Sequence, residues 1–111
     1  MHTTPSYNAP TKLDTQQIQQ HIASTIPTWQ YKHDTRDTIH KQYRFRNFID
    51  CFSYMTSIAL YAETNQHHPE WFNVYNTLNI TLSTHDCNGI SSNDINMAKY
   101  CDDTAMKYKL Q

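Results

Sequence analysis

The sequence predicts an α+β domain, a four-stranded antiparallel sheet with three helices on one face, in the order α-β-β-α-β-β-α. Three observations carry that expectation. The hydrophobic period switches between two and about 3.6 residues along the chain, and strand-like segments come in pairs with helical segments between them. The third is that 111 residues suffice for one core, with no internal repeat and no low-complexity linker. Ile, Leu, Val and Phe make up only about 17% of the chain, below the ~20% at which disorder is considered. Disorder also needs a large net charge, and here the net charge is −1, while 8 Tyr, 4 Met and 2 Trp add buriable surface.

Residues 1–10 hold two prolines and no periodicity and are expected to form a flexible tail, leaving 11–111 as a single domain. The first helix starts near Asp14, which has capping-box spacing to Gln17. Ile18, Ile22 and Ile26 form its apolar face, and Pro27 ends it. Trp29 and Tyr31 indicate a short strand, and the polar turn HDTRD at 33–37 follows. In 39–45, Ile39, Tyr43 and Phe45 alternate with His40, Gln42 and Arg44, the mark of a half-buried strand. Phe48, Cys51, Phe52, Met55, Ile58, Ala59 and Ala62 then recur at three- and four-residue steps, predicting an amphipathic helix over 47–64 with Asn47 as N-cap. Phe72 and Val74, then Leu78, Ile80 and Leu82, mark two more strands around a tight turn at Asn76-Thr77. A last helix begins after Ser91, spaced from Asp94 as in a capping box, with Ile95, Ala98, Ala105 and Met106 as its stripe.

The lone glycine, Gly89, excludes a Walker loop and a dinucleotide fingerprint, which need several glycines for backbone to approach phosphate. Near-neutral charge argues against direct nucleic-acid binding, and Lys41, Arg44 and Arg46 are explained by a solvated sheet face. No apolar run approaches the ~20 residues of a membrane span, and MHTTPSYNAP has no secretory pattern. Cys51, Cys87 and Cys101, odd in number and without a CxxC, fit reduced thiols in a soluble intracellular protein. Gly89 itself is expected to take a positive φ, in the bend between the segment carrying His85 and the last helix.

Chemistry concentrates in one stretch. His67, His68 and His85 lie within 19 residues, in the most polar, turn-like neighbourhood, with Glu63 four residues before His67. Imidazoles titrate near neutrality, so several together supply a proton acceptor and a proton donor at once. Pro69 stiffens the corner, and His85 falls on the parity of Asn79, Thr81 and Ser83, opposite the Leu78, Ile80 and Leu82 side. Two other chemistries use the same residues. Histidines with Glu63 are metal-ligand types, though adjacent histidines lack helical i,i+4 spacing. Cys87 near His85 is a nucleophile–base pair by type, though residues two apart at one strand end rarely align. Trp71 and Phe72 serve equally as core aromatics or as stacking platforms. On the residues alone, the reading ends at a histidine acid–base pocket.

The segments ETNQHHPEWFNVYN (63–76), LSTHD (82–86) and GISSNDIN (89–96) strongly resemble the pterin-4a-carbinolamine dehydratase family. Glu63, His67, His68, Pro69, Trp71, His85 and Asp94 occupy the places of its signature. The resemblance implies removal of water from a 4a-hydroxytetrahydropterin to give the quinonoid dihydropterin, in tetrahydrobiopterin recycling for aromatic amino acid hydroxylases, with no metal or organic cofactor. It implies His67, His68 and His85 as the acid–base group and Glu63 as a residue orienting one of them. It further implies Gln66, His67, His68, Pro69, Trp71, Ser83, Thr84, His85 and Asp86 around the pterin, with Asp94 in a structural or site role. Gln66 stands where relatives often carry Asp or Asn, and Asp86 where Glu is common. Members form homodimers and homotetramers, and some double as dimerisation cofactors of a homeodomain transcription factor. The resemblance therefore implies a cytoplasmic protein and, for that second role, a nuclear one.

Overall fold

The computed structural model describes residues 9–111, so most of the expected tail lies outside the described residues. The elements are α1 (Thr15–Thr25), β1 (Gln30–His33), β2 (Asp37–Arg44), α2 (Phe48–Thr64), β3 (Glu70–Val74), β4 (Thr77–Leu82), a short 3-10 turn at His85–Cys87, and α3 (Ser92–Ala105). The antiparallel sheet has the order β1-β2-β4-β3, and the α-β-β-α-β-β-α reading holds.

Each helix begins where its capping residue dictates. Asp14 and Gln17 close a reciprocal box, Gln17 N–H to Asp14 Oδ1 at 2.8 Å and Asp14 N–H to Gln17 Oε1 at 2.9 Å. Asn47 Oδ1 accepts from Asp50 N–H at 2.8 Å. Ser91 and Asp94 form the third cap, completely buried.

Register explains which side of the sheet meets the helices. Tyr31 lies opposite Ile39 and Ile39 opposite Leu82; Lys41, Ile80 and Trp71 form the next row, and Tyr43, Leu78 and Asn73 the third. These rows carry the buried Ile39, Tyr43, Leu78, Ile80 and Leu82. Trp29, Tyr43, Phe45 and Tyr54 form an aromatic cluster between sheet and helices, the Phe45 and Tyr54 rings 4.8 Å apart. Burying each such side chain contributes about 1.5–3 kcal/mol.

Several local expectations are corrected. The buried face of α2 runs through Cys51, Tyr54, Ile58 and Ala62, while Phe48 and Phe52 are exposed with Ile49 and Leu60. The sequence stripe was wide enough for two phases, and the aromatic cluster selects the one containing Tyr54. Lys41 shares the parity of Ile39 and Tyr43 and points to the helix side, where it pairs with Asp102 at 2.7 Å, so it does not belong to a solvated face. Arg46 lies beyond β2 and pairs with Asp50 at 3.1 Å. The β3–β4 turn is centred on Tyr75-Asn76, one residue early, with φ 50° at Tyr75. Met106 is exposed just past the end of α3, and Met97, Cys101 and Thr104 join the buried face instead.

Candidate active site

The chain leaves α2 through a Schellman motif. Gln66 N–H donates to the Glu63 carbonyl (3.3 Å) and His67 N–H to the Ala62 carbonyl (3.0 Å), with Gln66 left-handed at φ 51°. A non-glycine residue there is strained, and the Gln66 side chain offsets part of this by donating to the same Glu63 carbonyl at 2.9 Å. The motif turns the chain back so that His67 enters the protein and His68 faces outward. The two neighbours differ accordingly: 11% of the His67 side chain is exposed against 59% for His68.

His85 is not on a strand. β4 stops at Leu82, because Thr84 turns to pair with Gly89: Thr84 N–H donates to the Gly89 carbonyl (2.7 Å), and Gly89 N–H returns to the Thr84 carbonyl (3.3 Å). His85 opens the 3-10 turn inside that loop and is exposed. The strand parity expected for it therefore does not apply. Positive φ falls on Asn88 (φ 53°, ψ 47°), and Gly89 has a negative one. A Cβ at Gly89 would lie 2.7 Å from Cε of Lys12, whose flexible stem crosses the loop there.

Gln66, His67, His68, Ser83, Thr84, His85 and Asp86 line one cavity of about 280 Å³, together with Pro10 and Asn93. Thus the Schellman corner and the 84–89 loop bring all three histidines to one space. Pro69 and Trp71 lie outside its lining; Trp71 faces the helix side of the sheet, packed against the core. Glu63, also outside it, reaches His68 Nε2 only at 3.5 Å, and both groups are exposed. Two broader hollows of about 460 Å³ lie on the opposite side of the sheet. Their polar groups pair with one another, His40 Nε2 with Gln30 Oε1 (2.9 Å), Gln42 with Asn79 (3.1 Å) and Arg36 with Glu70 (2.7 Å), so they offer less chemistry.

Behind His67 stands Asp94, fully buried. Its Oδ1 meets His67 Nε2 at 2.7 Å, and its Oδ2 accepts from Thr84 Oγ1–H at 2.6 Å and from Ser91 N–H at 2.9 Å. A carboxylate behind one ring nitrogen fixes the tautomer: Nε2 carries the proton and Nδ1 is left as the acceptor. Capping and histidine anchoring are therefore functions of one residue. Pro10 and Asn93 join the lining without a sequence signal: Pro10 belongs to an aperiodic stretch, and Asn93, in the first turn of α3, is part of a wall that forms only on folding.

Burial, and then the Asp94 charge, push the Cys87 thiol up, and Sγ points to the Thr84 carbonyl at 3.7 Å, so it is a poor nucleophile. Among the described residues no group of three His, Cys, Asp or Glu side chains converges as a metal site.

The family model described as pterin 4 alpha carbinolamine dehydratase matches residues 11–104. The chain belongs to that family. A crystal structure of a transcriptional coactivator/pterin dehydratase from Brucella melitensis superposes with a TM-score of 0.80 at 38% identity, covering 86% of this chain and 99% of that one. A pterin dehydratase-like protein identified as a RuBisCO assembly factor in the α-carboxysome superposes at 0.61 with 18% identity, over 70% of this chain and 89% of that one, and shares the fold. The dehydratase-family fold therefore serves proteins described by quite different roles. No helix here is long and apolar enough to cross a membrane among the described residues.

Proposed function

We propose that this protein is a dehydratase acting on 4a-hydroxytetrahydropterins, the carbinolamines released by aromatic amino acid hydroxylases, and that it returns the quinonoid dihydropterin to tetrahydrobiopterin recycling in the cytoplasm. The observation that carries this reading is the convergence of His67, His68 and His85 on one cavity, with His67 pinned by a buried carboxylate. The reaction breaks the C4a–O bond, with the electron pair leaving on oxygen. A proton delivered to that oxygen completes water, and loss of the ring-nitrogen proton forms the C=N bond. His67, its Nε2 tied to Asp94 and its Nδ1 available, is the proton acceptor. The solvent-facing His68 and His85 are the proton source, and they recharge directly from water. Gln66 and Asp86 supply polar contacts to the pterin ring, and Ser83, whose hydroxyl donates to the Asp37 carbonyl at 2.9 Å, can add an acceptor. Acid–base assistance of this kind is worth ~10²–10⁴-fold, and it requires no metal or organic cofactor.

The test is the decay of 4a-hydroxypterin absorbance with purified protein. Acceleration is expected, with a loss of about 10²-fold or more in His67→Ala and smaller losses in His68→Ala and His85→Ala. Full activity in the triple alanine variant would overturn the assignment.

A second reading rests on a separate observation. Ile49, Phe52 and Leu60 are exposed on α2, at 73%, 54% and 66%. An apolar face of this kind favours self-association into a homodimer or homotetramer, or a coactivator module that binds a transcription factor in the nucleus.

A further inference from the structure

Thr84 lines the cavity with the histidines, yet its side chain is turned inward and buried. Its Oγ1 lies 2.6 Å from Asp94 Oδ2 and 2.6 Å from Ser91 Oγ, while Ser91 Oγ also accepts from Asn93 N–H at 3.2 Å. A hydroxyl has one proton to donate, so this chain has a single consistent polarity. Thr84 gives its proton to the Asp94 carboxylate. The Thr84–Ser91 contact then needs the proton of Ser91, which Ser91 can spare because its cap contact to Asn93 is an acceptance. The run is Ser91 O–H to Thr84 Oγ1, Thr84 O–H to Asp94 Oδ2, and Asp94 Oδ1 accepting from His67 Nε2–H.

We propose that Thr84 and Ser91 form a hydroxyl relay that positions the proton-accepting histidine, acting through Asp94 and not through the substrate. This rests on the acid–base reading of His67 given above. The two donors on Oδ2, Thr84 O–H and Ser91 N–H, prevent the carboxylate from rotating about its Cβ–Cγ axis. Rotation would lengthen the contact to Nε2 and release the tautomer. Because the Thr84 proton is already committed, Thr84 has no donor left for a pterin carbonyl or ring nitrogen. It is a positioning residue at the wall of the site, and the pterin is held by its neighbours.

Three measurements test this, and the first needs no substrate. In ¹⁵N spectra of the ligand-free wild-type protein, neutral His67 is expected in the Nε2–H form; an Nδ1–H form would overturn the relay outright. In Thr84→Val, which keeps the shape and removes the hydroxyl, His67 should become a mixture of tautomers and kcat should fall by about tenfold or more, part of the ~10²–10⁴-fold that acid–base assistance supplies. KM should stay within about twofold, because no substrate contact is lost. Thr84→Ser should restore both the tautomer and kcat. A raised KM with an unchanged His67 spectrum would instead make Thr84 a substrate contact and overturn the proposal. Should Thr84→Val fail to fold, Thr84→Ala takes its place, its His67 tautomer and its split between kcat and KM read in the same way. An inactive wild-type protein whose His67 tautomer nonetheless follows Thr84 would mean that the substrate assignment fails while the relay stands.

Discussion

Helix α3 carries two carboxylates that reach into the protein, Asp94 in its first turn and Asp102 near its end, about 12 Å apart along the axis. Both hold three hydrogen-bond partners, and both connect α3 to other elements. Asp102 Oδ1 receives Lys41 Nζ (2.7 Å), Trp29 Nε1 (3.2 Å) and the Tyr43 hydroxyl, and Lys41 also reaches Thr28 Oγ1 (2.7 Å). The Lys41 ammonium pairs with that carboxylate, so the cluster acts as a clamp between α3, β2 and the segment before β1. Asp94 has no such cation. Its partners are a hydroxyl, a backbone N–H and an imidazole whose other nitrogen remains available, and that imidazole lines a cavity. The difference teaches that a carboxylate that is both buried and well bonded does not by itself mark an active site. On the acid–base reading proposed above, what sets Asp94 apart is a titratable partner, His67, that also lines a cavity.

The comparison is broken or upheld most strongly by two substitutions made side by side. Asp94→Asn places an amide donor against groups that all donate, so it should lower dehydratase activity by about 10²–10⁴-fold and stability by about 1–3 kcal/mol. Asp102→Asn should lower stability by a similar ~1–3 kcal/mol, since Lys41 loses its counter-charge, while kcat/KM stays within about twofold. Denaturant unfolding and the carbinolamine assay read both. If Asp102→Asn removed activity from a folded protein as fully as Asp94→Asn, the two carboxylates would not differ in kind.

Much of this difference was legible in the sequence on one side only. Ser91 and Asp94 have cap spacing, and His67, His68 and His85 stand out by number and by their polar neighbourhood, so both halves of the site were visible separately. On the residues alone their union was not; only the family resemblance set Asp94 beside the histidines. The contact of Asp94 with His67 spans 27 residues and depends on the Schellman turn at Gln66, a left-handed residue that no propensity assigns to glutamine. His85 departs from its strand parity for a related reason: period-two alternation carries on through Ser83 and Thr84, whereas the backbone turns there to pair with Gly89. Helix α2 shows the opposite limit, where an apolar stripe wide enough for two phases is decided by Tyr54 packing on Tyr43 and Phe45. Lys41, read as a solvated charge, had its parity in plain view, but its partner Asp102 lies 61 residues away.

The Asp102 side should also set the alkaline limit of the fold. Burial first, and then the Asp102 carboxylate, push the Tyr43 phenol well above its usual range. Burial likewise raises Tyr54, and it lifts the Cys101 thiol to about 12. The unfolded chain ionises these groups near 9 for cysteine and 10 for tyrosine, whereas the folded chain keeps them protonated. Their stabilisation is therefore complete below about pH 9 and is lost as pH rises through 10 and towards 12. Unfolding midpoints across pH 9–11 should fall steadily in the wild type. In Asp102→Asn the fall should be shallower, because one cause of the Tyr43 shift is gone. A midpoint flat across that range would contradict the burial of these groups.

The smallest expected effect lies in the loop that carries Thr84 and His85 past Asp94. Asn88 holds the left-handed conformation there and Gly89 does not, so the two neighbours should respond oppositely to what composition suggests. Asn88→Ala loses a side chain suited to the left-handed region and should cost about 1 kcal/mol. Gly89→Ala brings a Cβ to 2.7 Å from Lys12 Cε, near the end of a flexible side chain on an exposed residue, which can swing aside. Its cost should be within about 0.5 kcal/mol. Neither residue lines the cavity, so kcat should stay within about twofold in both, as expected for changes that leave the Thr84–Asp94–His67 contacts in place. A Gly89→Ala loss larger than that of Asn88→Ala would show that the Lys12 stem is held in place over the loop. The N-terminal segment, which already lends Pro10 to the cavity and ties Leu13 N–H to the Ile90 carbonyl at 2.8 Å, would then be a third fixed wall of the Asp94 side.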